Sequence, residues 1–359
     1  MTTAVGPIKV TRIFFHCPAC RQSGFFADPH VGLDGFLTAG AERLMTLAGT
    51  MKSFERAQLL LKELAGWHVS EETIRQTCHR LSRAASDWMA NESPAAERFE
   101  AAAGVPELQI DAGKANTNEG WKDVKVAVLA KRTPGPPAAA SDWDKRQLPK
   151  PTAPVVIASI EEAEKFGERC RAVATALELW VPVTLVASSL VQTAGSILAD
   201  GAEWIWNIAD RHFPGVRQIL DIFHAAEHLA HGAKAAFGEG TPEAQSAKDR
   251  GVLKMLEKGY DGVVEWIGEL SGQMPAGGDG GALGAELNYF ASHKTRLSYG
   301  SRLAGGESIG SGMVEGRIKQ LIKTRIKQTG AKWRKEHVAP FVELINLAET
   351  PEWQAFWKR

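Results

Sequence analysis

The chain of 359 residues has few cysteines, no excess charge of either sign and no long apolar run. Four cysteines in a chain of this length exclude a disulfide-stabilised scaffold, because such scaffolds need a much higher density of them. No apolar stretch reaches the roughly 18 residues that span a bilayer. The N-terminal sequence MTTAVGPIKVTRIFF lacks the charged-then-apolar order of a signal peptide. We therefore expect a cytoplasmic protein that does not enter a membrane.

The charge is balanced overall but unevenly distributed. Lys plus Arg and Asp plus Glu number 42 each, so the net charge gives no evidence for a nucleic-acid partner. One segment near the C-terminus is nevertheless strongly basic and contains no acid, which indicates local contact with a polyanion. Its eight basic residues are Arg317, Lys319, Lys323, Arg325, Lys327, Lys332, Arg334 and Lys335.

Residues 1–35 contain the stretch RIFFHCPACRQSGFF, in which Cys17 and Cys20 form a C-x-x-C pair. Such a pair between a strand-like run and a glycine turn is half of a zinc ribbon, whereas tetrahedral zinc needs four ligands. His16 and His30 are the other candidate ligands in this segment. Two interpretations stay open: a zinc-binding partial ribbon, or a remnant with two unpaired thiols.

Residues 36–100 carry apolar residues at helical spacing. Gly66 is expected to end one helix and Ser70 to begin the next, followed by acids in its first turn. Two helices joined by a short turn form the outline of a helix-turn-helix. The second helix, about Ser70 to Ser82, would then present DNA-reading side chains. A plain helical hairpin packed on the next domain fits the same pattern. The side chains available for DNA are Arg75, Gln76, His79 and Arg80.

Three predicted strands in the middle of the chain end in an aspartate, at Asp111, Asp200 and Asp221. Further strands are predicted at 125–131 and 153–159, and helices are predicted between the later strands. An open α/β sheet places its site at the carboxyl ends of its strands, so we expect an α/β fold that brings these carboxylates together. Asp-Gly pairs also mark turns, which would explain any one of these acids but less well all three.

A further acid, Glu315, begins the predicted helix that carries the basic run. Carboxylate oxygens are the ligands that Mg²⁺ prefers, and two such ions can promote in-line attack on a phosphate. Asp111 would bridge the two ions and Glu315 would complete one site. A second aspartate, Asp200 or Asp221, would complete the other. The basic helix would then lie along the phosphate backbone.

A competing metal pattern is H-x-x-E-H at 224–228, the inverted zinc-peptidase motif. His224 and His228 lie four residues apart and so face the same way on a helix, with Glu227 as the base. A catalytic zinc needs a third protein ligand, and Glu286 and Glu307 are downstream candidates. The motif is short and leaves the strand-end acids unexplained, so a zinc peptidase is our third hypothesis.

Together, several stretches of the chain resemble bacterial insertion-sequence transposases of the ISKra type, DDE enzymes related to Mutator-like transposases. The resemblance runs from residue 10 to the end, and its last two stretches are the most specific. The N-terminal ribbon of that family has an upstream C-x-x-C that this chain lacks. The stretches are RIFFHCPAC, SFERAQLLLKELAGWHVSEETIRQ, LQIDAG, ILADGAEWIWNIADRHFP, ILDIFHAAEHL, YFASHKTRLSY and IGSGMVEGRIKQLIKTRIKQTGAKW.

The resemblance implies an RNase H-like core of the α/β class. It also implies a predicted triad of Asp111, Asp200 and Glu315 that binds two magnesium ions, or manganese. Asp221 and His224 resemble the C/D-x-x-H pattern near the site of Mutator-like enzymes. The implied reaction is metal-dependent cleavage at the ends of the element, followed by strand transfer into target DNA. The implied setting is a homo-oligomeric synaptic complex on the bacterial nucleoid.

The resemblance also implies the organisation of the chain. We expect a partial zinc-ribbon-like segment at 1–35, a helix-turn-helix at 36–100, the first part of the RNase H-like core at 104–224, an all-α insertion at 225–305, and the last core helix with a basic tail at 306–359. The residues expected to contact DNA are Arg75, Gln76, Arg80, Arg317, Lys319, Lys323, Arg325, Lys327 and Lys332. The runner-up is a non-catalytic DNA-binding protein derived from such an element.

Overall fold

A computed structural model gives the fold. The described residues are 1–25, 28, 36–180 and 195–358. Within them the chain has fourteen α-helices and a five-stranded mixed sheet, which confirms the predicted α/β class. No helix in this part of the chain is both long and apolar enough to cross a membrane.

The strands, in chain order, are β1 Thr2–Thr3, β2 Gly6–Pro7, β3 Phe15–His16, β4 Ser23–Gly24, β5 Val105–Thr117, β6 Gly120–Arg132, β7 Thr152–Ser159, β8 Ser196–Ala199 and β9 Arg217–Leu220. The α-helices are α1 Ala39–Met51, α2 Phe54–Ala65, α3 Glu71–Asn91, α4 Ala95–Ala101, α5 Ala163–Ala176, α6 Glu203–His212, α7 Ile222–Phe237, α8 Pro242–Lys258, α9 Tyr260–Gln273, α10 Gly280–Ser292, α11 Tyr299–Ala304, α12 Gly312–Ile318, α13 Lys335–Ala348 and α14 Glu352–Phe356. A π-helix, Lys319–Ile326, follows α12 in the sequence.

The chain divides into two compact units. The helical unit consists of Met1–Pro94, Lys114–Asp123 and Lys319–Arg359, and the sheet unit consists of Ala95–Gly113 and Val124–Ile318. The C-terminal segment predicted at 306–359 is therefore divided between the two units.

Helices α1, α2, α3 and α13 form the core of the helical unit. Gly66 ends α2 in a left-handed conformation (φ 64°), and Ser70 caps α3 through a hydrogen bond from the Thr73 amide, as the sequence predicts. Helix α3 nevertheless runs to Asn91 and does not end near residue 82. Its apolar stripe continues to Trp88, whose ring lies 5.6 Å from that of Phe356, so packing extends the helix.

The sheet of the sheet unit has the strand order β7-β6-β5-β8-β9. A two-residue turn joins β5 to β6, so these strands run antiparallel, and β7 is antiparallel to β6. Strands β8 and β9 are parallel to β5 and to each other, with α6 as the crossover between them. The predicted strand that leads to Asp200 is described only from Ser196 onward, and its earlier part lies outside the described residues.

Five α-helices, α7 to α11, lie between β9 and α12 in the sequence, where the all-α segment at 225–305 is predicted. The fully buried Trp266 of α9 is central to their packing, and its Nε1 donates to the Ala247 oxygen at 2.8 Å. A Cβ on Gly232 or Gly251 would lie 3.0 and 2.8 Å from this ring. These glycines therefore allow α7 and α8 to approach α9 closely.

Candidate functional site

A row of three aspartates lies at one edge of the sheet. In the pairs β5–β8 and β8–β9, the residues just before Asp111, Asp200 and Asp221 lie opposite one another. The three aspartates therefore stand at the same level on adjacent parallel strands, which are about 4.8 Å apart. The backbone amide of Asp221 donates to the Ala199 oxygen at 2.7 Å, which continues the ladder to this level. Three acids far apart in sequence are thus neighbours.

Asp111 lies within its strand and not at its end, in contrast to the prediction. Strand β5 continues to Thr117 because it forms one arm of the long hairpin with β6, and Gly113 sits inside the strand without ending it. The half-buried Asp111 accepts a hydrogen bond from the Ala112 amide through Oδ1 at 2.6 Å. Asp200 and Asp221 directly follow the last residues of β8 and β9, as predicted.

Asp221 is buried and engaged by the chain itself. Its Oδ1 accepts from the His224 amide at 2.8 Å, which caps the N-terminus of α7. Its Oδ2 accepts from the amide of Ser311 at 2.6 Å and from the Ser311 hydroxyl at 2.9 Å. Asp221 therefore ties the start of α7 to the loop before α12.

Asp200 has a different environment. It is half-buried, and its Oδ1 accepts a hydrogen bond from the Ala202 amide at the start of α6, at 2.9 Å. A Cβ on the adjacent Gly201 would lie 2.3 Å from the hydroxyl of Tyr289, so only glycine allows this tyrosine to lie so close. Burial is the main cause that raises the pKa of Tyr289 well above its usual range, and the negative charge of Asp200 raises it further. A protonated phenol thus lies beside this row of aspartates, the acidic row.

Helix α12, which carries Glu315, is held to the sheet face on which Asp111 lies. Gln109 precedes Asp111 by two positions on β5 and so points to the same face. Its buried side chain accepts from the Val314 amide at 3.1 Å and donates to the Gly310 oxygen at 3.4 Å. Val314 is buried, whereas Glu315 is exposed. Gln109 therefore fixes the first turn of α12 near the acidic row.

The predicted triad is not gathered within one coordination shell. Uncompensated carboxylates repel one another, and two-metal sites spread their ligands over ions about 3.5–4 Å apart. The donor set, carboxylates alone, suits hard cations such as Mg²⁺. In the described part of the chain, three His, Cys, Asp or Glu donor atoms come within 4.8 Å of one another only in His228, His231 and Glu286.

One histidine of the H-x-x-E-H motif, His228, forms a separate cluster with His231 and Glu286. On α7, His228 Nδ1 lies 2.7 Å from Glu286 Oε2 of α10, and His231 Nδ1 lies 3.8 Å from Glu286 Oε1. The His228 ring stacks on Tyr289 with centroids 3.5 Å apart. His224, one turn earlier, has its ring 5.1 Å from that of His228 and does not belong to the group. The pair expected for a zinc peptidase is therefore not the pair that meets Glu286.

The predicted DNA-contacting residues of α3 lie at the surface and have acidic partners. Arg75 and Gln76 each donate to Glu72, at 2.6 Å, and Arg80 pairs with Glu42. Exposed ion pairs contribute little to stability. A phosphate could therefore replace these carboxylates at small cost.

One residue of the basic run is not available to DNA. Arg325 is buried, its Nε donates to the Gly49 oxygen at 2.8 Å, and its guanidinium lies 4.7 to 5.1 Å from the ring centroids of Phe54, Trp333 and Phe341. Because the run forms a π-helix, its side chains point in other directions than they would on an α-helix. The prediction of a phosphate contact at Arg325 is therefore wrong. Burial lowers its pKa to about 10. Among the predicted DNA contacts of the basic run, Arg317 is half-buried, and the exposed residues are Lys319, Lys323, Lys327 and Lys332.

The Cys17–Cys20 pair lies in the turn of the hairpin β3–β4. Hydrogen bonds from the Cys20 backbone and side chain lower the pKa of the Cys17 thiol. His16 Nδ1 is engaged with the Ser23 hydroxyl at 2.6 Å. His30 lies outside the described residues. In the part of the chain that is described, no third donor joins the pair within 4.8 Å.

Three residues that organise the site were not singled out from the sequence. Gln109 could have been found, because it is a polar residue inside an apolar strand, on the face of Asp111. Ser311 follows a glycine just before a helix, which marks a tight turn but not its partner. Tyr289 has no local signal, since its position depends on how α10 packs.

The acidic row offers carboxylates from β5, β8 and β9. Helix α12, which begins nearby, is followed in the sequence by the basic run. Such an arrangement can bind divalent cations and, through them, phosphate oxygens. Neither a family model nor a curated protein matches this chain.

Proposed function

We propose that this protein is a DDE transposase with an RNase H-like core. It cleaves DNA at the ends of a mobile element in the presence of a divalent metal and then joins the freed 3′ hydroxyl to target DNA. The observation that carries the proposal is the row of aspartates on β5, β8 and β9, with the helix of Glu315 fastened to the same face through Gln109.

The sheet topology supports this proposal. Three strands form an antiparallel meander, and two later strands are added in parallel on the free side of the first strand. Asp111 stands within β5, and Asp200 directly follows the neighbouring parallel strand β8. A fold likeness alone would not specify a chemistry, and the placement of the acids is the stronger support.

Asp200 is the better candidate for the second metal ligand. Both Asp221 oxygens are occupied by three hydrogen bonds from its own chain, so a metal there would have to displace structural contacts. Asp111, Asp200 and Glu315 would hold two magnesium or manganese ions. When bound, such ions activate the attacking oxygen and stabilise the leaving one.

The remaining residues would bind and position DNA. The exposed lysines Lys319, Lys323, Lys327 and Lys332 would contact phosphates and, like all such contacts, give salt-dependent affinity. In our proposal α2 and α3 act as a helix-turn-helix in which Gln76 and Arg80 reach the bases or the backbone. His224 donates its backbone amide to Asp221 and has a half-exposed side chain, which would orient a phosphate oxygen.

The second candidate function is that of a non-catalytic DNA-binding protein derived from such an element. The specific observation in its favour is that the carboxylates of the predicted triad do not lie within 4.8 Å of one another. It predicts DNA binding that is unchanged by neutralising the acids, and no strand cleavage with any divalent metal.

The test is cleavage of DNA that flanks the coding region of this chain, where the ends of its own element would lie. We expect nicks that leave 3′ hydroxyls and require Mg²⁺ or Mn²⁺. Asp111→Asn, Asp200→Asn and Glu315→Gln should each lower the rate by at least about 100-fold, comparable to the loss of one electrostatic contact in a transition state.

Glu203→Gln is the matched control. This exposed acid lies three residues after Asp200 and makes no contact with the acidic row, so its replacement should leave the rate unchanged. Full activity in any one of the three triad variants would remove that residue from the site. Binding without cleavage by the wild-type protein would support the non-catalytic alternative.

A further inference from the structure

Helices α7 and α10 bring together two imidazoles and a carboxylate that have no role in the proposed cleavage. His228 and His231 are three residues apart on α7 and therefore neighbours on one face. Glu286 faces them from α10, and one donor atom from each of the three residues falls within 4.8 Å of the others. We propose that His228, His231 and Glu286 form a zinc site.

The burial of these groups favours a cation between them. The Glu286 side chain is only 15% exposed and that of His228 only 22%. A carboxylate removed from water needs a compensating positive charge. A divalent cation bound by two neutral histidines would supply it. In the absence of metal, the 2.7 Å hydrogen bond from His228 Nδ1 to Glu286 holds the two ligands in place.

The ligand set favours zinc. Two imidazole nitrogens and one carboxylate oxygen are a common zinc set, in which water takes the fourth position. The ring of His228 is fixed in orientation because it stacks on Tyr289 at 3.5 Å with an angle of 9° between the planes. Fixed ring orientation is the usual task of groups around a metal ligand. His231 is the exposed ligand, with 61% of its side chain accessible to solvent.

The metal would fasten two helices that both border the acidic row. Helix α7 begins immediately after Asp221, and α10 carries Tyr289, whose hydroxyl lies beside Gly201. Bound zinc should therefore stabilise this end of the sheet unit. The site does not depend on the proposed function, since its ligands are not the acids that would carry out cleavage.

The test is zinc binding by the full-length chain with Cys17→Ser and Cys20→Ser, so that thiols do not contribute. We expect one equivalent of Zn²⁺ by metal analysis, a Co²⁺ spectrum typical of nitrogen and oxygen ligands, and a melting temperature that rises with zinc concentration. His231→Ala and Glu286→Gln should each weaken zinc binding by at least about 100-fold, beyond the roughly 10–100-fold effect of groups that only orient a ligand.

His224→Ala is the matched control, because His224 lies on the same face of α7 but outside the group. It should leave the zinc affinity close to that of the parent, because His224 is not a ligand in this assignment. Loss of zinc in His224→Ala with retention in His231→Ala would overturn the assignment in favour of the H-x-x-E-H pair. The proposal would also fail if the parent bound no zinc while its circular dichroism showed a folded chain.

Discussion

Asp221 and Asp200 stand side by side at the sheet edge, yet the structure predicts that the loss of Asp221 destabilises the fold much more than the loss of Asp200. Asp221→Ala removes the N-cap of α7, which costs about 1 kcal/mol. It also leaves the half-buried Ser311 amide without its acceptor, which costs about 1–3 kcal/mol. The free energy of unfolding of the sheet unit should therefore fall by about 2–4 kcal/mol. In a unit of roughly 200 residues this corresponds to a melting temperature lower by about 5–15 °C.

Asp200→Ala should have a much smaller effect on stability. It removes one half-exposed hydrogen bond to the Ala202 amide, so we expect a loss of about 0.5–1 kcal/mol. Asp279→Ala is a matched control for the cost of losing a helix cap. Asp279 caps the N-terminus of α10 as Asp221 caps that of α7, but it is exposed and is not hydrogen-bonded to a second segment as Asp221 is to Ser311. It should lower the free energy of unfolding by about 1 kcal/mol.

Urea unfolding followed by circular dichroism measures all three variants on one scale. The expected order of destabilisation is Asp221→Ala, then Asp279→Ala, then Asp200→Ala. Equal stability of the Asp221 and Asp200 variants would refute the structural role of Asp221. If Asp200→Ala were the more damaging change, the assignment of the two aspartates would have to be exchanged.

Three further predictions concern the helical unit and the cysteines. Lys323→Ala should reduce the slope of log affinity for DNA against log salt concentration by about 0.9, with no loss of stability. Arg325→Ala should instead lower the free energy of unfolding by at least about 2 kcal/mol, because packing and cation–π contacts are lost. Burial, and next the charge of His337, lower the pKa of His79 from 6.5 to about 4. Between these two pKa values the unfolded chain therefore binds more protons than the folded one, and stability should fall as the pH drops through this window. A His79→Gln variant whose stability in urea titrations had the same pH dependence as the wild type would contradict this. Iodoacetamide at mildly alkaline pH should label Cys17 and Cys20 in the native protein. It should not label Cys78 or Cys170, because burial raises the pKa of both thiols. Peptide mass analysis that finds all four cysteines labelled would contradict the burial of these two.

Local chemistry was sufficient to predict much of the fold. Ser70 begins α3 and Gly66 ends α2 because capping depends on one or two residues near a helix end. The strands that lead to Asp200 and Asp221 were predictable because buried parallel strands are short apolar runs. The α/β class follows from the alternation of such strands with helices.

Features that depend on tertiary packing could not be predicted in this way. Nothing near Asp111 in the sequence shows that β5 continues past it, since that depends on its pairing with β6. Arg325 belongs to a basic run, but the π-helix turns it towards Phe54 and away from solvent. The partners Ser311 and Glu286 are distant in sequence from Asp221 and His228, so only the folded chain shows these contacts.

The most direct test of the central claim is a metal-specificity change at one acid of the predicted triad. Thiolate is a poor ligand for Mg²⁺ but a better one for softer ions such as Mn²⁺. Asp111→Cys should therefore cleave end-containing DNA hardly at all in Mg²⁺ and regain activity in Mn²⁺, while the wild-type protein cleaves in both. Rescue by Mn²⁺ is the result that we predict. Equal activity of the variant and the wild type in Mg²⁺, or no activity of the wild type with either metal, would contradict the account.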